Sequence, residues 1–209
     1  RSTDPDEGRD LLIQENHGNL CDPQGKFEKL AGGEGADIHV IRDDGTRMRD
    51  LPWGRDGNEF CQGHQCWIGR SARAITSTGT REPQSARLIA GKPIDHVGHQ
   101  GVRTAGGWRN DLTRELPRPD FYHFATDIAG RKFITDAGPK DRGGELWLAE
   151  LAEDQEAPLQ DVTFLLNPGS SWQKDTHIHP FLSPDGKAGF FNSDESGLLQ
   201  AYMVRGWAD

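Results

Sequence analysis

Two histidines spaced two residues apart, His177 and His179, stand just before the turn signal Ser183-Pro184-Asp185-Gly186. In an extended segment, residues two apart point to the same side. Two imidazoles converging in this way suit a transition-metal ion. His123 supplies a third imidazole, and Gln173, four residues before His177, offers an amide oxygen. Three imidazoles plus an amide oxygen accept manganese, zinc or iron and leave positions open for substrate or water. The alternative is that His177 and His179 are surface or turn-capping residues.

His64, in Gly63-His64-Gln65-Cys66-Trp67, is a candidate fourth ligand or general base. A neutral imidazole takes up a proton near physiological pH. Arg42, Arg55, Arg103 and Arg109 could form carboxylate-binding forks, the natural seat for a uronate in an acidic protein. Trp172, beside Gln173, is a candidate for stacking on a sugar ring, whereas Trp147, between Leu146 and Leu148, reads as core. His96 and His99 form another candidate ligand pair, inside a Gly-rich stretch.

The elements that must position these residues read as short strands. The 209 residues include 26 Gly and 12 Pro, and only 33 % are apolar. That composition suits many short strands joined by tight turns rather than one large α/β core. Strand patterns occur at 36–42, 72–78, 85–90, 121–127, 131–136, 145–151, 161–166, 187–193 and 199–204. Asp43-Asp44-Gly45 and Ile128-Ala129-Gly130 read as turns between them. Neither strand nor helix period runs through 91–120, which reads as a long insertion loop.

The strands group into units with one plan: a polar-aromatic lead-in, a tight turn, a buried strand, a second turn and an outer strand. Units begin near His64, Tyr122 and His177, with a partial one at 36–51. Strand repeats of about 40 to 50 residues indicate β-propeller blades. The expected architecture is therefore an all-β single domain, the C-terminal part of a propeller with about four blades present and the rest N-terminal to this chain. A β-sandwich of hairpins is the competing architecture. In a propeller the lead-ins converge on the central channel, so His64, His123, His177 and His179 would face one region.

A net charge of −9 argues against a nucleic-acid partner. No apolar run approaches the roughly 18 residues of a membrane-spanning helix. Cys21, Cys61 and Cys66 are odd in number and irregular in spacing, which argues against a disulfide framework or zinc knuckle and favours a reducing compartment.

The segment from Gln173 through His177-Ile178-His179-Pro180, with Phe181-Leu-Ser-Pro-Asp-Gly186 and Phe190-Phe-Asn-Ser-Asp194, resembles the last part of oligogalacturonate lyases. Gly63-His64-Gln-Cys-Trp67 and Tyr122-His123-Phe-Ala-Thr-Asp127 resemble earlier blades of the same family. The Ser-Pro-Asp-Gly turn is shared with TolB-like propellers at large. The resemblance implies a seven-bladed propeller that cleaves short pectic oligosaccharides by β-elimination, in the cytoplasm or periplasm. It implies manganese held by His123, His177, His179 and Gln173, with His64 as base and Arg55 as the cationic residue at the site. Arg42 and Trp172 are the further substrate-binding candidates. The Gln-to-His spacing is looser than the family pattern, and the 91–120 stretch departs from it. A non-catalytic TolB-like propeller that binds protein or glycan, and a propeller hydrolase with its nucleophile elsewhere, are the alternative functions.

Overall fold

The computed structural model describes residues 8–15, 37–51, 59–80, 86–92, 108–116, 121–153, 156–173 and 175–207. They form fourteen strands and one short 3-10 turn, Lys140–Arg142, with no α-helix among the described residues. The strands build four antiparallel sheets, each made from consecutive strands. The first holds β1 (Asp10–Glu15), β2 (Asp37–Arg42) and β3 (Arg49–Asp50). The second holds β4 (Glu59–Trp67), β5 (Ala74–Thr80), β6 (Ala86–Gly91) and β7 (Arg109–Asp111). The third holds β8 (Phe121–Thr126), β9 (Lys132–Ala137), β10 (Glu145–Glu150) and β11 (Gln160–Leu166). The fourth holds β12 (Phe181–Leu182), β13 (Ala188–Ser193) and β14 (Gln200–Arg205). Successive three- and four-stranded meanders are the blade pattern of a β-propeller.

The chain divides into two compact units, residues 1–119 and 120–209. In the first, Ile38, Val40, Leu51, Cys61, Ala74 and Ile89 are buried together, with Leu12 and Trp67 packed against them. In the second, Ile134, Leu146, Leu148, Ile178, Leu182 and Phe191 form the core, flanked by Trp172, Tyr202, Val204 and Trp207. The central strands β5 and β9 are buried along most of their length, whereas β13 alternates with the two-residue period of a strand.

Tight turns set the registers. The Ser183–Gly186 turn is closed by the Gly186 N–H to the Ser183 carbonyl (2.9 Å) and by the Ser183 hydroxyl to Asp185 Oδ1 (2.6 Å). Gly186 has φ +69°, and a Cβ there would lie 3.1 Å from Asp127 Oδ2, so glycine fits both the backbone and the space. The hydroxyl of Ser183 holds the Asp185 carboxyl below the usual carboxylate range.

Three sequence expectations change. The strand β1 lies where no strand period was read, since Leu11-Leu12-Ile13 is an unalternating apolar run. Within the stretch read as a long loop, Arg109–Asp111 pairs with β6 as an edge strand, and the Asp111 carboxylate caps the turn after it through Thr113. Trp147 is not core: Leu146 and Leu148 take the buried face of β10, while Trp147 is half-buried on the other, its Nε1 donating to Glu145 Oε2 (3.0 Å) and its ring edge-on to Phe164.

Ile134 is fully buried in the core of the second unit. Ile134→Ala is expected to lower unfolding stability by about 2–5 kcal/mol. Met203→Ala, on an exposed position of β14, should change it by less than about 0.5 kcal/mol. Chemical denaturation of both variants checks the pair, and equal losses would place the core elsewhere.

Candidate metal centre

The centre is built from β8, β9 and the segment 167–180. His123 lies within a register shift of the β8–β9 pairing, between Phe121 and Phe124. Such a bulge re-aims the side chains it carries. Directly behind His123 is Asp136, at the end of β9 and fully buried. Its Oδ1 accepts the His123 backbone N–H (2.8 Å) and its Oδ2 meets His123 Nδ1 (2.7 Å). With Nδ1 bound to the carboxylate, Nε2 is the nitrogen left to bind an ion. This carboxylate–imidazole pair is the arrangement that orients and strengthens a histidine ligand. The Thr135 hydroxyl adds a bond to the His123 carbonyl (3.0 Å).

His177 and His179 arrive from the loop before β12. The expected strand geometry is not what brings them together. Residues 176–180 are not a strand, and His179 has a left-handed backbone, φ +43°. Ile178, fully buried, anchors the pair from the opposite side, and its carbonyl accepts the Asn192 N–H (2.8 Å). The nitrogens of His123, His177 and His179 all lie within 4.8 Å of one another, close enough to share one ion. The ring centroids of His123 and His179 are 3.8 Å apart, and those of His123 and His177 5.4 Å. Burial, and then the neighbouring His123, hold the His179 imidazole below its ordinary protonation range, although the residue as a whole is exposed.

The loop is tied down by side chains. Ser170 Oγ donates to the Thr176 carbonyl and accepts the Trp172 N–H (3.1 Å). Ser171 N–H donates to Asp194 Oδ1 (2.7 Å), Ser193 Oγ to the Pro168 carbonyl (2.6 Å), and Asn167 Nδ2 to the Arg142 carbonyl (2.8 Å). Trp172, φ +53°, lays its ring against His123 (centroids 6.1 Å) and His177 (5.6 Å), and receives the edge of Tyr122 (5.4 Å). Gly144 makes room for it: a Cβ there would fall 2.4 Å from Trp172 Nε1 and 2.6 Å from Ile178 Cδ1. Trp172 is thus a wall of the imidazole cluster. Gln173 is exposed in the same loop, its carbonyl accepting the Thr176 N–H (2.9 Å).

The other candidates lie in the first unit or outside the described residues. His64 is half-buried on β4, and its carbonyl accepts the Thr76 hydroxyl (2.9 Å). It occupies the same place in its sheet as His123: a register shift beside it, and a threonine twelve positions on bonded to its carbonyl. Ser77 stands there where Asp136 stands behind His123. Arg42 is buried on β2, and Arg109 begins β7. Arg55, His96, His99, Arg103 and Cys21 lie outside the described residues. Cys61 is buried with its Sγ 3.0 Å from Thr76 Oγ1, and burial pushes the Cys66 thiol up to about 12, so neither is a ready nucleophile.

The sequence reading missed Asp136, Tyr122 and Lys140. An aspartate next to the end of a strand with the apolar pair Phe133-Ile134, in Lys132–Ala137, was the available signal for the first, because a buried carboxylate requires a partner. A second buried pair was also missed: His39 Nδ1 to Asp50 Oδ1, 2.6 Å, across β2 and β3. It joins no cluster of three ligating groups among the described residues.

No known family profile matches the chain, and no curated protein does. Solved structures do. An oligogalacturonate lyase in complex with manganese aligns over 93 % of this chain and 45 % of its own, with TM-score 0.59 and 17 % identity. A structure described as TolB from Agrobacterium tumefaciens aligns over 98 % of this chain and 56 % of its own, with TM-score 0.58 and 18 % identity. An oligogalacturonate lyase from Vibrio parahaemolyticus aligns over 81 % and 45 %, with TM-score 0.55 and 14 % identity. The chain thus spans about half the length of these structures, and what it shares with them is the fold: consecutive blades of an all-β propeller of the type found in oligogalacturonate lyases and TolB.

Proposed function

We propose that this chain carries the metal-binding part of a polysaccharide lyase that cleaves uronate-containing, oligogalacturonate-like oligosaccharides by β-elimination. The observation that carries the reading is the cluster of His123, His177 and His179, with His123 fixed from behind by the buried Asp136. The donor set fits a borderline divalent ion such as manganese or zinc: three neutral imidazoles, one of them with a carboxylate behind it. Manganese is favoured because one of the similar folds is a lyase in complex with it.

In this reading His123, His177 and His179 hold the ion, and Gln173 supplies an oxygen from the same loop. A bound divalent ion would supply Lewis-acid stabilisation of the negative charge that develops on the uronate carboxylate. The remaining work falls to the chain. His64 is the base: its neutral imidazole takes the C5 proton on a ring nitrogen. The C5–H electron pair becomes the C4–C5 double bond as the C4–oxygen bond breaks, and the departing oxygen takes a proton from water to become the product hydroxyl. Arg55 and Arg42 are the proposed carboxylate-binding cations, and Trp172 shapes the wall beside the ion. A non-catalytic TolB-like propeller that binds protein or glycan is the second reading. It draws on a TolB structure that matches this chain as well as the lyase does.

Incubation with manganese and oligogalacturonate should raise the ultraviolet absorbance of an unsaturated uronate, and His64→Ala should lower that rate by about 10²–10⁴. Elemental analysis showing no bound transition metal, together with flat absorbance, sinks the lyase reading in favour of the binding propeller. New reducing ends without the absorbance would indicate a hydrolase.

Asp136→Asn should weaken manganese binding by about 10–100-fold in calorimetric titration, since the amide no longer fixes the imidazole as a carboxylate does. Unchanged affinity would remove Asp136 from the centre.

The sign of the pH response follows from His179. Its folded imidazole protonates below the ordinary value of about 6.5, so the folded site binds fewer protons than the unfolded chain. Manganese affinity should be flat above neutrality and fall as the pH drops below the ordinary imidazole range, because protons compete for the same nitrogens. Affinity that rises on acidification would exclude imidazole ligation.

A further inference from the structure

The indole that packs on the imidazole cluster also carries a cation that the arginine candidates do not include. Lys140 stands on the 3-10 turn Lys140–Arg142 that follows β9. Its Nζ lies 4.4 Å from the centre of the Tyr122 ring and 5.0 Å from that of Trp172. Trp172 is the ring that packs on His123 and His177. The ammonium and the imidazoles therefore share one aromatic wall. Among the described residues no carboxylate forms an ion pair with Lys140, and its neighbour Asp141 does not close one. The lysine is exposed, so its ammonium remains open to an incoming ligand.

A lysine free to roam would keep its strongly hydrated head in bulk water. Two aromatic faces hold this one by cation–π attraction, which orients the charge but neutralises none of it. An exposed ammonium held against Tyr122 and Trp172, one of them also packed on His123 and His177, is a positive charge oriented by the same rings as the cluster. It selects a ligand carrying a negative charge next to the group that meets the ion. A single ammonium makes a point contact, which suits a carboxylate and does not need the fork of an arginine.

We infer that Lys140 is a carboxylate-recognition residue of the histidine centre, selecting acidic over neutral sugars. Tyr122 and Trp172 are the residues that position it. The inference rests on the proposed metal-dependent uronate reading and adds to it the side chain that discriminates substrate charge.

The test is binding, so it does not depend on turnover. The 209-residue protein and its Lys140→Met and Lys140→Arg variants are titrated calorimetrically with manganese, then with trigalacturonate and with neutral maltotriose in the presence of manganese. Lys140→Met should bind manganese as the parent does and trigalacturonate about tenfold more weakly, the size expected for one lost charge-assisted contact. Lys140→Arg should recover most of that loss. Added salt should weaken trigalacturonate binding in the parent more than in Lys140→Met. Trigalacturonate binding that is equal in the parent and Lys140→Met, with manganese bound by both, overturns the inference and leaves the metal centre standing. Equal loss for maltotriose also overturns it, because the residue would then be shaping the wall and not reading charge. Failure of the parent to bind either manganese or trigalacturonate overturns the metal reading, and the Lys140 subsite with it.

Discussion

The buried contact between Asp136 and His123 is the constraint on which the rest of the centre depends. A carboxylate removed from water costs several kcal/mol unless it is hydrogen-bonded and paired. Asp136 is fully buried, and both its oxygens are occupied by one residue, the backbone N–H and the Nδ1 of His123. Neither partner can move without stranding the other. The contact locks the register shift in β8, selects the tautomer of His123 and points the remaining nitrogen away from the sheet. The other two imidazoles need only be brought to that fixed point.

How the loop meets that requirement explains its composition. The described residues of 167–176 have little regular backbone pairing, yet several of their polar groups are matched by Ser170, Ser171, Asn167, Ser193 and Asp194. Short hydroxyl and amide side chains can bond nearby backbone, which is why they replace secondary structure here. Among the described residues of 167–180, the non-glycine residues with positive φ are Trp172 and His179, one a wall of the cluster and the other a member of it. Left-handed backbone at such residues costs of order 1–3 kcal/mol and persists only where packing over-determines it. Ile178 in the core and the space left by Gly144 supply that packing.

Much of this was legible in the sequence, and the limits have physical causes. Blade strands announce themselves because alternation has a period of two residues and turns such as Ser183–Gly186 have strict chemistry. The three imidazoles were legible as candidate ligands from their types and lead-in placement, but the loop backbone that brings His177 and His179 to His123 was not. The β1 strand was hidden because a short apolar run has no period. The β7 strand was hidden because an edge strand of three residues carries almost no pattern. The partner of His123 was hidden because a cross-strand contact links residues thirteen apart with no local signature. Lys140 was hidden for a different reason: its role comes from two rings distant in sequence, and a lone lysine after a turn looks like any solvated charge.

The repeat itself then shows where function can enter such a fold. His64 on β4 and His123 on β8 sit at matching register positions, each beside a bulge and each bonded at its carbonyl by a threonine. The scaffold treats them alike. What distinguishes them is the next residue along the neighbouring strand: Ser77 in one blade, Asp136 in the other. A carboxylate orients an imidazole and strengthens it as a ligand, and the position behind His64 carries no such group. In the proposed reading, with His123 a ligand and His64 the base, this one position is where the two roles part. Propellers of this type are shared by proteins with different tasks, so the blades alone decide nothing about activity. The blades differ at the position behind the histidine, Asp136 in one and Ser77 in the other, and there the same backbone presents different chemistry to the same imidazole.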